Sequence, residues 1–372
     1  MAGSSKALRL TARALAVSVL LLVLYLALWP VPVDPVAWDA PADSGLVGPF
    51  APNRKLEAME LLPLGGDHGP EAVAADSAGR LYTGTAEGNI IRLDPDGSNP
   101  VRWARTGGRP LGLAFAPDGS LIVADAFEGL LSISPEGVVT PLATEADGVP
   151  IGYADDVDVA ADGRIFFSDA STRFPANRGG TYDASLLEII EHRGSGRLLV
   201  YDPATRRATT VAGGLAFANG VTVSHDQRHV LVNETGSYRV LRVRIDTAGY
   251  PAPEPVIENL PGFPDNLTRG RDGRFWIALI SPRNRLLDRV AGRPFLRKVI
   301  QRLPAFLRPK AVDYTHVVAF DLEGRVAASL QDPGGRLPAN TSALEKEGHL
   351  FLGSLSAESL GRAALPHLTI SR

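Results

Sequence analysis

Residues 113–123 read Leu-Ala-Phe-Ala-Pro-Asp-Gly-Ser-Leu-Ile-Val: an apolar run, an Asp118-Gly119 turn and a second apolar run. Asp-Gly between short apolar runs is the strongest local hairpin signal, because type I′ turns need positive φ. The phrase recurs on both sides. Upstream, Ala72-Val73-Ala74-Ala75 leads through Ser77-Ala78-Gly79 to Leu81-Tyr82-Thr83. Downstream, Val157-Asp158-Val159 leads through Asp162-Gly163 to Ile165-Phe166-Phe167, and Val221-Thr222-Val223 through His225-Asp226 to Val230-Leu231-Val232. Leu267 leads through Asp272-Gly273 to Phe275-Trp276-Ile277, and Ala343-Leu344 through Glu347-Gly348 to Leu350-Phe351-Leu352. Third strands follow several copies, as at Ile90–Leu93 and Val318–Phe320. Six copies about 40–75 residues apart, each worth three or four strands, predict an all-β chain folded as a six-bladed β-propeller.

Composition agrees. The 372 residues include 38 Gly and 29 Pro, the punctuation of a chain that turns often. A formal net charge of −3 argues against a nucleic-acid binder working through a broad basic surface. The chain has no cysteine, which excludes disulfides, thiol nucleophiles and thiolate metal sites.

Ahead of the repeats, no charge interrupts Ala14 to Val33, and Lys6, Arg9 and Arg13 precede that run. Twenty apolar residues in a helix span about 30 Å, the thickness of a hydrocarbon core. Trp29 suits the interface, and Pro30 and Pro32 would end the helix. The expected organisation is a basic cytoplasmic N-terminus over 1–13, a transmembrane signal anchor over 14–33, a linker over 34–54 and the propeller over 55–372. The basic flank puts the propeller on the non-cytoplasmic side, whether periplasmic, extracellular or lumenal. The rivals are a cleaved signal peptide, with Ala40-Pro41-Ala42 as a weak cleavage site, and a buried soluble helix.

Two insertions interrupt the repeats, at about 172–196 and 282–309. The second carries Arg283, Arg285, Arg289, Arg293, Arg297, Lys298, Arg302 and Arg308 among apolar residues at helical spacing. It reads either as a surface excursion whose helices pack on the propeller, or as a lid or membrane-facing patch.

The inner strands of a propeller line a central channel, so polar residues at their starts converge. Here those starts carry Glu71, Asp155-Asp156, Asn219 and Asp265-Asn266, each from a different repeat. Singly, Asn219-Gly220 reads as a turn and Asp265-Asn266 as a capping pair. Together, carboxylate and amide oxygens without sulfur or histidine suit a hard cation, Ca2+ before other divalent ions.

Gly69-Pro70-Glu71, Phe217-Ala218-Asn219-Gly220-Val221, and Phe263-Pro264-Asp265-Asn266-Leu267 running into Asp272-Gly273-Arg274-Phe275-Trp276 carry a resemblance. From about Leu56 onward the chain resembles the strictosidine synthase-like and gluconolactonase/paraoxonase superfamily, closest to the membrane-anchored adipocyte plasma membrane-associated type. The resemblance implies a divalent metal in the central tunnel, held by Glu71, Asn219 and Asp265, and less directly by Asn266 and Asp155. Two departures stand out. The histidine that paraoxonases use as a general base aligns with Leu111. The last-blade glutamate of strictosidine synthases aligns within Leu337–Ala343, which holds no acid.

The leading expectation is a calcium-dependent hydrolase of lactones or esters, acting on a small-molecule substrate, with membrane attachment through the N-terminal helix and no nucleic-acid partner. Asp155 or Asp156 would activate water, the other supporting the ion. His68, three residues before Glu71, is a further base candidate at the channel mouth. The other histidines receive no role, and Trp276 and Phe166 are expected to fill the core. The alternatives are a non-catalytic binding propeller with a structural metal, and a lyase or condensing enzyme using a different acid.

Overall fold

The computed structural model describes residues 2–247 and 249–365. His367, which received no role, lies outside the described residues. The chain divides into two compact units: residues 2–40 with 284–310, and residues 41–283 with 311–365.

The larger unit holds six four-stranded antiparallel sheets and a two-stranded ribbon, Glu145–Ala146 with Val149–Pro150, among the described residues. The innermost strands are Val73–Ala75, Pro110–Phe115, Ala154–Val159, Ala218–Val223, Gly262–Arg269 and Asn340–Lys346, in blades 1 to 6. Each packs against its predecessor, and the sixth returns to the first, so the ring is closed. All six of these strands line one central cavity of about 260 Å3. That is a six-bladed β-propeller.

Blade 6 takes three strands from the C-terminal end of the chain and its fourth from Glu60–Pro63, which pairs antiparallel with Ser359–Ala364. Only Leu62 of that short strand is buried, so its apolar content gives no local signal of a strand. The partner lies about 300 residues downstream in the chain.

The Asp-Gly hairpins form where the sequence places them, with one difference in kind. At Asp272-Gly273 and Glu347-Gly348 both residues have positive φ, as a type I′ turn requires. At the Gly119 and Gly163 turns only the glycine does. In the latter pair the glycine N–H bonds back to the carbonyl of Ala116 or Ala160, the geometry of a type I turn followed by a left-handed glycine. Interdigitated side chains fill the seams between blades. Phe166 and Trp276 are wholly buried in two of these clusters. The Trp276 indole N–H donates to Glu345 at 2.8 Å, so its one polar atom is satisfied.

In the smaller unit, a helix spans Ala2–Leu28, and its stretch Arg9–Leu28 is long and apolar enough to cross a membrane. The apolar run continues to Val33, but the helix stops at Leu28, two residues before Pro30. A proline disfavours the helical conformation of the residue before it, so the helix ends five residues short of the composition boundary. The same unit contains helices at Arg285–Arg289 and Pro294–Arg302. Asn284 caps the first of them, its side-chain oxygen accepting from the N–H groups of Leu286 and Leu287.

Candidate functional site

The first residues of the inner strands meet at one end of the channel. Glu71, Asp155 and Asp265 each offer a carboxylate oxygen within 4.8 Å of the others, and all three are buried. Asn219 and Asn266 are buried with them. Two glycines let the strands approach this closely. A Cβ on Gly220 would collide with the backbone of Asp265 and Leu267, and one on Gly112 would lie 2.5 Å from Asp156 Cα.

Hydrogen bonding here is incomplete. Glu71 Oε2, Asp155 Oδ1, Asn219 Oδ1, Asp265 Oδ1 and Asn266 Oδ1 are buried without a hydrogen-bond partner. Buried polar atoms are nearly always paired, and each orphan costs about 1–3 kcal/mol. Five on converging side chains make this a candidate ion site. The donor set is oxygen only, from three carboxylates and two amides, which fits a hard divalent cation of calcium's type.

Electrostatics point the same way. Burial, then the nearby Asp265, pushes the Glu71 carboxyl well above its usual range, against the pull of Arg109. Burial and the charges of Glu71 and Asp265 do the same to Asp155. Burial raises Asp265 to about 8. Carboxyls so placed resist ionisation unless positive charge is supplied.

Asp156 faces differently from Asp155. Its Oδ2 accepts from the N–H of Val221 at 2.9 Å and of Leu267 at 3.2 Å, and its Oδ1 from the N–H of Val157 at 2.9 Å. It therefore pins together the inner strands of blades 3, 4 and 5. Burial still raises it to about 7, with these three amides opposing the rise. The geometry suits a support of the ligands better than a free base. His68 is on the surface, and its ring pairs with Glu87.

Several contributors were not among the expected site residues. Arg109 immediately precedes the inner strand of blade 2, at the position that Tyr153 and Phe217 hold in blades 3 and 4, and its guanidinium is buried and donates to the Gly69 carbonyl at 2.8 Å. Searching blade starts for oxygen ligands alone passes over it. Thr341 and Ser342 each donate to the Glu71 carbonyl at 2.7 Å, fixing that backbone from blade 6. Beside them Asn340 Oδ1 is a further buried orphan. This is the stretch where a condensing enzyme's acid would align, and it serves Glu71 instead.

An apolar wall flanks the acids. Leu111, Tyr153 and Phe217 pack with Ala176 and Ala184 from the 172–196 insertion, whose helix is Thr181–Glu191. The Tyr153 hydroxyl donates to the Thr181 carbonyl at 3.2 Å, and the same phenol feels the charges of Asp155, Glu71 and Asp265. The insertion thus packs on the residues beside the acids. Leu111, where a histidine base would align, is fully buried in this wall.

Sequence signatures match in two places: strictosidine synthase-like, N-terminal, over residues 48–93, and strictosidine synthase over residues 155–247. The adipocyte plasma membrane-associated protein of Danio rerio is 34% identical over 354 residues, covering 88% of this chain and 83% of that protein. Protein strictosidine synthase-like 7 of Arabidopsis thaliana is 36% identical over 328 residues, covering 85% and 84%. Among solved structures, a gluconolactonase from Xanthomonas campestris has a TM-score of 0.60 at 16% identity, covering 90% of this chain and 97% of that one. The calcium-binding protein regucalcin from Agrobacterium tumefaciens has a TM-score of 0.58 at 15% identity, covering 85% and 97%. At such identities these two likenesses establish the propeller fold alone.

Proposed function

This chain belongs to the strictosidine synthase-like family, and from that premise we propose that it is a membrane-anchored, calcium-dependent hydrolase of small lactones or esters. The observation that carries the reading is the set of five orphaned, buried oxygens contributed by blades 1, 3, 4 and 5. The two solved neighbours, one a gluconolactonase and one a calcium-binding protein, support the same direction.

Glu71, Asp155, Asn219, Asp265 and Asn266 would hold the ion. When bound, Ca2+ supplies Lewis acidity to a substrate carbonyl and the charge that keeps these carboxyls ionised. Asp156 orients the ligands from behind through its three amide contacts. Arg109 offsets part of the negative charge, and Leu111, Tyr153 and Phe217 keep bulk water from that side. Asp155 would take the proton from the attacking water at its carboxylate.

A second reading is a binding propeller whose ion is structural. It is favoured by the amide contacts that occupy Asp156 and by the leucine at position 111. One experiment separates the two. The purified protein is assayed on a panel of aryl esters and lactones with and without calcium, alongside its thermal midpoint. Turnover that requires calcium and drops about 10²–10³-fold in Glu71→Gln and Asp265→Asn supports the hydrolase. A calcium-induced rise in midpoint without turnover of any substrate supports the binding protein and sinks the hydrolase.

In this reading the propeller lies on the non-cytoplasmic side, which the basic flank of the apolar helix supports. A C-terminal reporter that is active only in the cytoplasm should stay silent; activity would reverse the orientation.

A further inference from the structure

The unit built from residues 2–40 and 284–310 buries two of its arginines and exposes several of its largest apolar side chains. In and after helix Pro294–Arg302, Arg297 and Arg302 are only 3% and 7% exposed. Phe295, Phe306 and Leu307 are 56%, 76% and 56% exposed. A helix surrounded by water sorts these residue types the other way.

The buried arginines have a definite task. Arg302 donates through Nη1 to the Leu26 carbonyl at 2.9 Å and through Nε to the Trp29 carbonyl at 2.6 Å. Both carbonyls belong to the end of the apolar helix, where intrahelical partners run out and the helix dipole is negative. Arg297 donates to the Val36 carbonyl at 2.7 Å, and the Lys298 ammonium pairs with Asp34 at 2.9 Å. In return the Tyr25 hydroxyl donates to the Arg302 carbonyl at 3.0 Å. The insertion is therefore tied to the point where the chain leaves the apolar helix.

That point carries interfacial chemistry. The rings of Tyr25 and Trp29 lie 5.7 Å apart between centroids, tilted at 41°, with Trp29 exposed, as aromatic side chains sit at headgroup level. Arg285 and Arg289 are exposed on either side of exposed Leu286. Cations interleaved with protruding apolar groups match the boundary between lipid phosphates and acyl chains.

We propose that residues 284–310 form an interfacial cuff, lying in the surface of the bilayer that the helix Arg9–Leu28 spans. Phe295, Phe306 and Leu307 enter the acyl boundary, and Arg285 and Arg289 meet the phosphates of anionic phospholipids. The cuff rests on the reading of Arg9–Leu28 as a membrane span, and the experiment keeps the two apart.

The chain has no native cysteine, so single cysteines report one position each. Full-length Phe295→Cys, Phe306→Cys, Leu20→Cys and Val138→Cys, the last on an exposed propeller turn, are labelled with an environment-sensitive fluorophore. Each is reconstituted in vesicles of phosphatidylcholine alone or with phosphatidylglycerol, carrying nitroxide lipids at several depths. Probes at 295 and 306 should be quenched best by shallow acyl nitroxides, about 5–10 Å below the headgroups, and the probe at 138 by none of them. Arg285→Gln with Arg289→Gln should weaken quenching at 306 in phosphatidylglycerol vesicles and leave it unchanged in phosphatidylcholine. Quenching at 20 with none at 295 or 306 overturns the cuff and keeps the span; no quenching at any position overturns both. Shielding of 306 that disappears as the protein is diluted in lipid assigns the face to a second copy and overturns the cuff.

Discussion

Asp155 and Asp158 sit three residues apart on one inner strand, both buried, and their surroundings could hardly differ more. Asp158 is complete. Its Oδ1 takes Arg269 at 3.0 Å and the Val159 N–H at 2.8 Å, while its Oδ2 takes the Thr222 hydroxyl at 3.0 Å and the Val223 N–H at 2.8 Å. Asp155 has an oxygen with no partner, two further carboxylates nearby and no bonded cation. One end of the channel is a closed circuit of protein groups, and the other leaves buried oxygens without a hydrogen-bond partner. The fold tolerates a buried carboxylate where it supplies the counter-charge itself. Where it leaves the oxygens open and aimed together, the proposed counter-charge is a bound cation.

The comparison can be strained from both ends, and the largest effect is expected from the residue that joins them. Asp156→Asn replaces one acceptor by a donor facing backbone amides. It should weaken calcium binding about 10–100-fold by calorimetry, as loss of an orienting partner does. An unchanged affinity would remove Asp156 from the site. Next, Asp158→Ala strands the Val159 and Val223 amides and should lower stability by about 2 kcal/mol in denaturant, with or without calcium. Glu71→Gln measured in chelator should cost little or stabilise, because it removes a charge that the calcium-free protein holds at a penalty. If both substitutions cost alike in chelator, the two ends are not different in kind.

The smallest effect is in pH. Burial lifts Asp156 to about 7 and Asp265 to about 8, above the ordinary carboxyl value that the unfolded chain has. The folded state then binds more protons between about pH 4 and 8, so stability in chelator should fall as pH rises through that window. Saturating calcium favours the ionised carboxyls and should flatten or reverse the slope. Thermal midpoints from pH 5 to 8.5, with chelator and with calcium, read this directly; parallel curves would contradict it.

The ring was legible in the sequence because its unit is local. Each hairpin carries its own turn residues within about a dozen positions, and the apolar runs on either side give the strand period. The convergence of Glu71, Asp155 and Asp265 was legible for a related reason: a fixed place at the start of each repeat becomes a fixed height in the channel. What escaped depends on contacts between distant segments. Glu60–Pro63 is a strand only because Ser359–Ala364 offers it an edge, and Arg109 matters only because Glu71 is folded beside it. The helix Thr181–Glu191 likewise acquires its place only through Tyr153 and the residues around Ala184.

The seam that closes the ring also lies downstream of a tether, and this has a mechanical consequence. Between the apolar helix and the closing strand the chain is fastened to the propeller at successive points. Arg283 holds the Pro41 carbonyl, Asn259 the Ala42 carbonyl and Gln331 the Phe50 carbonyl, and the Leu56 N–H bonds to the Gln331 carbonyl. A pull on the N-terminal helix loads these fastenings one after another, starting with the one farthest from the seam. Strain is spent in side-chain clamps before it reaches the four-residue strand, so a pull at the helix end does not unzip the ring.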